Sequence, residues 1–190
     1  MNNIDDRQRA CGFGMVEVMV TLLIIMIGLL GLAALQGKSL TTQMEAYQRA
    51  QAIVIAKEMV ARISIDQQNA DDYATAEHLG TGSDQESDCS LYAMPGKERS
   101  FCEWHNMLLG AAESLSGNTV GAMIGARGCV DYSAATTTTP ERVLVTVAWQ
   151  GLNPTAAPPD EVTCGEDDYG DERLRRVITI PMTLANLGTS

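Results

Sequence analysis

Glu17 occupies the chemically most unusual position in the sequence, because it is the single charged residue of an apolar run from Phe13 to Leu35. A carboxylate inside a membrane-spanning helix costs about 2.5–3.5 kcal/mol on insertion scales, and such residues usually have a partner and a function. Gly12 stands directly before Phe13, so the residues from Gly12 to Glu17 form the pattern G-F-x-x-x-E at the junction of polar and apolar sequence. The pattern indicates a functional role for Glu17.

The cysteines form a second group with chemical potential, namely Cys89, Cys102, Cys129 and Cys164, with Cys11 apart from them near the N-terminus. The spacings of the four match no zinc signature, so we expect two disulfides formed in an oxidising compartment. Four reduced, buried cysteines are the alternative. Of the three possible pairings we favour Cys89–Cys102, which closes a short loop before a predicted helix, and Cys129–Cys164, which ties a predicted strand to a loop.

The remaining polar clusters predict little chemistry. Residues 166–172 contain five acidic side chains, but they lack the alternating ligands of an EF-hand. We interpret them as a solvated loop that is neutralised by the neighbouring Arg173, Arg175 and Arg176. His105 is expected at a helix surface or beside a hydrogen-bonding partner. No G-x-S-x-G, H-E-x-x-H, P-loop or dinucleotide fingerprint occurs, so we predict no enzyme, no metal and no cofactor.

The charge distribution excludes one class of partner and divides the chain. The formal net charge is −11, which opposes direct binding to nucleic acid because phosphate contacts need clustered basic residues. Residues 13–66 hold four acidic and four basic side chains, whereas residues 67–190 hold 18 acidic and 7 basic ones. The negative charge therefore lies on the C-terminal part, as expected of a solvated surface.

The apolar run from Phe13 to Leu35 has the length of a membrane anchor. A helix of 20 residues spans about 30 Å, the thickness of the hydrocarbon core of a bilayer. The run is too long for a secretory signal, and no small-x-small cleavage site follows it. The sequence therefore predicts an uncleaved transmembrane helix.

An amphipathic pattern continues beyond the run to about Asp66 without a proline. Apolar and small residues recur at the i, i+3, i+4, i+7 spacing of a helix; they are Leu40, Met44, Tyr47, Ala50, Ile53, Val54, Ala56, Met59, Val60 and Ile63. We predict one helix from Phe13 to about Asp66. The alternative is a pair of helices with a break near Gly37.

The C-terminal part has the pattern of a small α+β head. Residues 66–90 are polar and predict an irregular connection, and a helix is expected from Cys102 to Leu115. Alternation of apolar residues predicts strands at 120–132, 142–150 and 174–184. Pro181 cannot donate a ladder hydrogen bond, so the last strand lies at an edge or ends near Ile180. We expect an antiparallel sheet that packs on the C-terminal half of the long helix.

The pattern from Gly12 to Glu17, which follows a polar stretch and opens the apolar run, resembles the cleavage site of the type IV pilin family. Within the helix, residues 27–36, 46–52 and 56–63 are similar to the PilV group of minor pilins. The leader departs from the family because its basic residues are balanced by acidic ones. The helix also lacks the kinking proline of many major pilins. The resemblance is close over residues 12–63 and extends to the rest only in layout.

The resemblance implies roles for individual residues and a division of the chain. A prepilin peptidase would cut after Gly12, Phe13 would be N-methylated, and Glu17 would pair with the N-terminal amine of a neighbouring subunit. Cleavage would also remove Cys11 and leave an even number of cysteines. The implied parts are a leader at 1–12, a transmembrane or fibre-core half-helix at 13–35, an amphipathic half-helix at 36–66 and a disulfide-bonded periplasmic or extracellular head at 67–190, in a type IV pilin-like α+β fold.

The implied function is structural. The chain would be inserted in the inner membrane with its head in the periplasm and would then enter a pilus fibre. There it would co-assemble with other minor pilins and the major pilin, with a tip adhesin as a further partner. It would prime assembly at the fibre tip and support adhesion and twitching motility. The alternatives are a minor pseudopilin of a type II secretion system and a membrane-anchored periplasmic enzyme or binding protein.

Overall fold

The computed structural model describes residues 14–93, 96–110, 114–115, 118–119 and 123–184. Contacts within the chain define two units, Met1–Gln43 and Met44–Ser190. Helix α1 runs from Met15 to Ile65 as a continuous α-helix of 51 residues. The single long helix predicted from the sequence is therefore confirmed over these residues, and α1 passes through Gly37 without a break.

The second half of α1 forms one wall of the core of the head. One side of this half is buried, and its members recur every three or four residues, as an amphipathic helix requires; they are Gln48, Ala52, Ile55, Ala56, Met59 and Ile63. The opposite side remains exposed, as Val54 and Ile65 show. The helix was therefore predicted correctly, but its core face only in part: Met44, Ala50 and Val54 of the predicted apolar face are exposed, and the polar Gln48 is buried instead.

A four-stranded antiparallel sheet packs against this half of α1. Its strands are β1 (Leu79–Gly80), β4 (Ile124–Ser133), β5 (Arg142–Gln150) and β6 (Arg175–Thr183), in the spatial order β1-β4-β5-β6. The central strand β5 is the most buried, and its Val143, Val145 and Val147 are fully enclosed. The predicted antiparallel sheet on the C-terminal half of the long helix is confirmed.

The connection predicted to be irregular at residues 66–90 contains regular structure. A 3-10 helix spans Gln67–Tyr73, β1 pairs with β4, and a second 3-10 helix spans Cys89–Leu91. The prediction holds for the residues between these elements but missed β1, because β1 has only two residues and its pairing with Arg127 and Gly128 is specified by distant sequence. Local polarity cannot reveal such a partner.

Helix α2 differs from its predicted range of Cys102 to Leu115. It runs from Lys97 to Leu108, and the chain then turns at Gly110, where φ is +73°. Glycine adopts this left-handed conformation without steric cost and commonly terminates helices. Leu115 instead belongs to β2 (Ser114–Leu115), which pairs antiparallel with β3 (Asn118–Thr119).

Strand β6 lies at an edge of the sheet, as the position of Pro181 predicted. The strand does not end near Ile180, because Pro181 lies opposite Leu144 and the pairing continues to Thr183. The first predicted strand begins later than expected, at Ile124 rather than residue 120, and residues 120–122 are outside the described part of the chain.

Trp104 joins α2 to the other two layers of the head. Its indole Nε1 donates a buried hydrogen bond of 2.9 Å to the carbonyl of Ile55 in α1. On the sheet side, the ring lies so close to Gly128 that a Cβ added there would be 2.4 Å from Cη2. The missing side chain at Gly128 therefore allows α2 to pack directly on β4.

Candidate functional site

The N-terminal half of α1 presents an uncovered apolar surface. It contains the one segment of the described residues that is long and apolar enough to cross a membrane, with a mean hydropathy of 2.8 over its best window and none of that window buried. Individual exposures are large, at 81% for Met15 and 71% for Leu30. Side chains of this kind need lipid or apolar protein around them, so this half of the helix is suited to a membrane or to a bundle of helices.

Glu17 lies in the first turn of α1 and is exposed within this apolar surface. A negative charge is favourable there because the helix macrodipole is positive at its N-terminus. The nearby polar residue Thr21 needs no partner outside the helix, since its hydroxyl donates to the carbonyl of Val18 at 2.9 Å. Among the described residues, Glu17 is the charged side chain of this apolar surface, and it forms no ion pair there.

The two residues expected at the cleavage and methylation site, Gly12 and Phe13, lie outside the described residues. The structure begins immediately after them, at Gly14, whose carbonyl accepts the first hydrogen bonds of α1 from Glu17 and Val18. Glu17 is four residues, or about one helical turn, from Phe13 along the sequence. A pairing between Glu17 and the N-terminal amine of a neighbouring chain would have to fit this spacing of about one turn.

Two disulfides fix the head. One joins Cys89 to Cys102, with Cα atoms 5.5 Å apart, and the other joins Cys129 to Cys164, with Cα atoms 5.9 Å apart. This is the pairing favoured from the sequence. The first attaches the second 3-10 helix to α2, and the second attaches β4 to the long loop between β5 and β6. In the chain-entropy model, loops of these lengths each stabilise a fold by about 3–4 kcal/mol.

The acidic loop at residues 166–172 is held by basic residues, although not only by those expected. Arg175 is buried and pairs with Glu172, while its Nη1 also donates to the carbonyl of Cys164 at 3.2 Å. The expectation that Arg176 neutralises this loop was wrong: its guanidinium lies 3.7 Å from Glu45 of α1 and also bonds the carbonyl of Asn153. Pairs this distant in sequence cannot be found from local charge alternation.

A polar cluster that the sequence analysis missed holds the other end of the same loop. Arg127 pairs with Asp168 at 3.0 Å, donates to His78 at 3.3 Å and lies over the ring of Tyr169, 5.0 Å from its centroid. The Tyr169 hydroxyl donates to the carbonyl of Gly125 at 2.9 Å, and burial raises the pKa of this phenol above its ordinary value. These contacts tie the loop to β4, so the cluster is suited to structural support.

His105 has a structural role. It is buried, which corrects the expectation of a helix-surface position, and its Nδ1 accepts the backbone N–H of Gly80 at 3.1 Å. Burial lowers the pKa of the imidazole below its ordinary value. A neutral ring with the proton on Nε2 fits this contact, so His105 is the satisfied hydrogen-bonding partner of β1.

Salt bridges also join α2 to the end of α1. Glu103 receives hydrogen bonds from Arg99 at 2.5 Å and from Arg62 at 2.7 Å, and these two guanidinium groups hold the pKa of the Glu103 carboxyl below its ordinary value. Within the described ranges, no group of three or more His, Cys, Asp or Glu side chains is arranged to hold a metal ion.

Comparison with known families identifies the N-terminal segment. Residues 7–33 match the model of the prokaryotic N-terminal methylation motif, and this range includes Gly12, Phe13 and Glu17. The motif is the signal of type IV pilins and pseudopilins, so the match supports a structural subunit that a prepilin peptidase processes and that assembles with other pilins. The long apolar helix fits a membrane-anchored pilin before assembly. No curated protein and no solved structure matches the chain.

Proposed function

We propose that this chain is a minor type IV pilin of the PilV kind, which co-assembles with other minor pilins to start the fibre at its tip. One observation carries the proposal. The methylation motif opens a continuous helix, α1, whose first half is apolar and uncovered and whose second half belongs to the core of a disulfide-bonded head. A subunit built in this way can leave the bilayer for a fibre core without refolding its head.

Processing is the first step of the proposed function. The peptidase would cut the bond between Gly12 and Phe13, where the absence of a side chain at Gly12 leaves the backbone accessible. The released amine of Phe13 would then be methylated and would lie one helical turn from Glu17 of the same chain. In the fibre, Glu17 would instead receive the N-terminal amine of a neighbour.

We expect the mature protein to begin with N-methylated phenylalanine. Mass spectrometry of the N-terminal peptide from membranes with active peptidase measures this directly. Gly12→Val is expected to abolish cleavage because its branched side chain blocks the approach of the peptidase, whereas Gly14→Ala, on the other side of the bond and with open space around its Cβ, should be cleaved normally. A wild-type chain that still begins at Met1 or Asn2 would contradict the proposal.

The charge and layout of the head support a scarce position in the fibre. Residues 67–190 carry a net charge of −11, so identical heads stacked closely around a fibre would repel one another, although salt screens this repulsion beyond about 8–10 Å. Mixing with other minor pilins would relieve it. The mostly irregular connection at residues 67–90 also suits one specialised position better than repetitive packing.

Deletion of the gene is expected to reduce surface pili by at least about tenfold, because loss of the starting complex removes the site at which subunits are added. Counting pili by electron microscopy measures the effect. In wild-type fibres sheared from cells, this chain should be present at a few per cent of the major subunit or less, as determined by quantitative mass spectrometry. Re-expression of the intact gene should restore the number of pili.

Two outcomes would overturn the initiating role. Wild-type piliation after deletion would show that the chain is not needed to start the fibre, and abundance near that of the major subunit would show that it is not a minor component. If deletion instead abolishes protein secretion while the pili remain, the chain is a pseudopilin of a type II secretion system. The genes next to its own, which would encode other prepilins with an adhesin or secretion components, provide an independent check.

A further inference from the structure

The two edge strands of the sheet in the head differ in length and in how far their backbone groups are already bonded. At one edge, β1 has only two residues, and the N–H of Gly80 is already bonded to His105 of α2. At the other edge, β6 has nine residues and no neighbouring strand among the described residues. Unpaired edges can add a strand from another chain, and proteins usually protect them. The β6 edge is therefore the edge of the sheet that is open to an added strand.

The hydrogen-bond register determines which backbone groups of β6 point outward. Leu184 donates to the carbonyl of Glu141 at 3.0 Å, and Gly151 donates to the carbonyl of Leu174 at 2.8 Å. These bonds extend the antiparallel pairing of β6 with β5 at both ends. Since the pattern alternates, even-numbered residues of β6 bond to β5, and the outward groups, here called the free edge, belong to Arg175, Val177, Thr179, Pro181 and Thr183.

Two residues of the free edge, Arg175 and Pro181, are protected. Pro181 has no N–H to offer, and its outward position explains how β6 accommodates a proline without losing a bond to β5. At the other end, the N–H of Arg175 is bonded to the carbonyl of Glu172 at 3.2 Å. Between them, the N–H groups of Val177 and Thr179 have no acceptor within the part of the chain that the structure describes. An extended segment could bond to both.

An incoming strand would also cover apolar surface beside the free edge. The inward-bonded residues Ile178, Ile180 and Met182 are only half-buried, although they pack against the main core. On α1, Ile53 and Val60 are half-buried as well. Burial of such side chains favours association, and β-branched side chains are the ones that fit this kind of surface.

The α1 face beside this edge is basic. Two contacts locate it: Glu45 lies near Arg176 at the start of β6, and the Ser64 hydroxyl lies 3.2 Å from the sulfur of Met182 near its end. Helical periodicity places Arg49 and Lys57 on the face between these contacts. Both are exposed, and neither forms an ion pair with the described residues. They give this face two exposed positive charges in a protein whose net charge is −11.

We infer that the free edge of β6 binds an extended acidic segment of a partner protein by β-strand addition. The partner's backbone pairs with Val177 and Thr179, its apolar side chains cover the half-buried rim, and its carboxylates face Arg49 and Lys57. Strand addition of this type obtains affinity from main-chain hydrogen bonds and specificity from alternate side chains. A second copy of this chain is a poorer occupant, because its own β6 contains no carboxylate to face Arg49 and Lys57.

The test uses the full-length protein in detergent micelles and a fluorescein-labelled nine-residue peptide of alternating valine and glutamate. Fluorescence anisotropy should show saturable binding above that to empty micelles. Thr179→Pro removes the outward N–H and the hydroxyl contact of Thr179 with Thr146 but leaves the backbone bonds of β6 to β5, and it should weaken binding at least tenfold. The matched variant Thr179→Val keeps the N–H and should bind within about twofold of the wild type.

Charge is tested without altering the backbone. Arg49→Glu combined with Lys57→Glu should weaken binding of the valine–glutamate peptide at least fivefold, and a valine–lysine peptide should bind the wild type more weakly by a similar factor. Equal thermal unfolding of all variants shows that the head remains folded. Absence of peptide binding, or equal binding by Thr179→Pro and the wild type, would overturn the inference. Sedimentation showing a dimer that Thr179→Pro dissociates would assign the edge to a second copy instead.

Discussion

Replacement of Glu17 by leucine is expected to lower the amount of this protein in sheared fibres by at least about tenfold, while its amount in the inner membrane stays the same or rises. Insertion should improve because leucine removes the cost of a charge in the apolar helix. Fibre entry should fail because the N-terminal amine of the neighbour would be left buried without its counter-charge, and breaking a buried ion pair costs about 3–5 kcal/mol. Quantitative immunoblots of sheared and membrane fractions measure both amounts.

Two matched variants separate the charge of Glu17 from other changes in the same helix. Glu17→Gln keeps the approximate size and should fail like Glu17→Leu, since the neutral amide supplies no counter-charge. Thr21→Val removes a polar group whose hydroxyl is already bonded within the helix, so its fibre content should equal that of the wild type. Normal amounts of Glu17→Leu protein in sheared fibres would contradict the pairing role.

The parts of the fold that could be predicted are those whose information is local. The range of β5 was predicted in full as Arg142–Gln150, because Val143, Val145 and Val147 alternate with other residues and all face the core. The length of α1 followed from a run without proline and from spaced apolar residues. The edge position of β6 followed from Pro181. A proline has no N–H to donate, so it fits a strand only where its nitrogen faces away from the neighbouring strand.

What could not be predicted depends on contacts between distant segments. The pairing of β1 with β4 joins residues about 50 positions apart. The first turn of α2 lies in polar sequence, and packing against the rest of the head decides whether such a sequence is helical. The cluster of Arg127 with His78 and Asp168 has the same origin. In contrast, the motif around Glu17 could be identified because its residues are adjacent in sequence and their setting is an uninterrupted apolar run.

Gly128 is the clearest example of a residue whose role only the fold reveals. Its neighbours are the Trp104 ring, at 2.4 Å from a Cβ built on Gly128, and the Leu108 side chain, at 2.7 Å. Trp104 is fully buried and is held by its bond to Ile55, so the ring cannot move aside without breaking that bond. A side chain at residue 128 would therefore separate α2 from β4.

Gly128→Ala is expected to destabilise the head by about 2–3 kcal/mol, the upper part of the range for overpacked cores. For a protein of this size, such a loss lowers the unfolding midpoint by about 4–12 °C. Gly128→Val adds two further methyl groups to the same contact and should prevent stable folding. Thermal unfolding of the oxidised protein in detergent, followed by near-UV circular dichroism of the tryptophans, measures both effects.

A double variant distinguishes this collision from a general effect of losing a glycine. Trp104→Phe removes Cη2 and Cζ3, the ring atoms nearest to the added methyl group, although it also loses packing and the bond to Ile55. Gly128→Ala and Trp104→Phe together should therefore cost at least about 1 kcal/mol less than the sum of the two single changes, since residues in contact are not additive.

Gly96→Ala serves as the control, because its nearest neighbour would be an ordinary 3.4 Å away, and it should change stability by less than about 1 kcal/mol. Strict additivity of the two changes, or a Gly128→Ala head as stable as the wild type, would show that α2 can move away from β4 and that the glycine is not required for their contact.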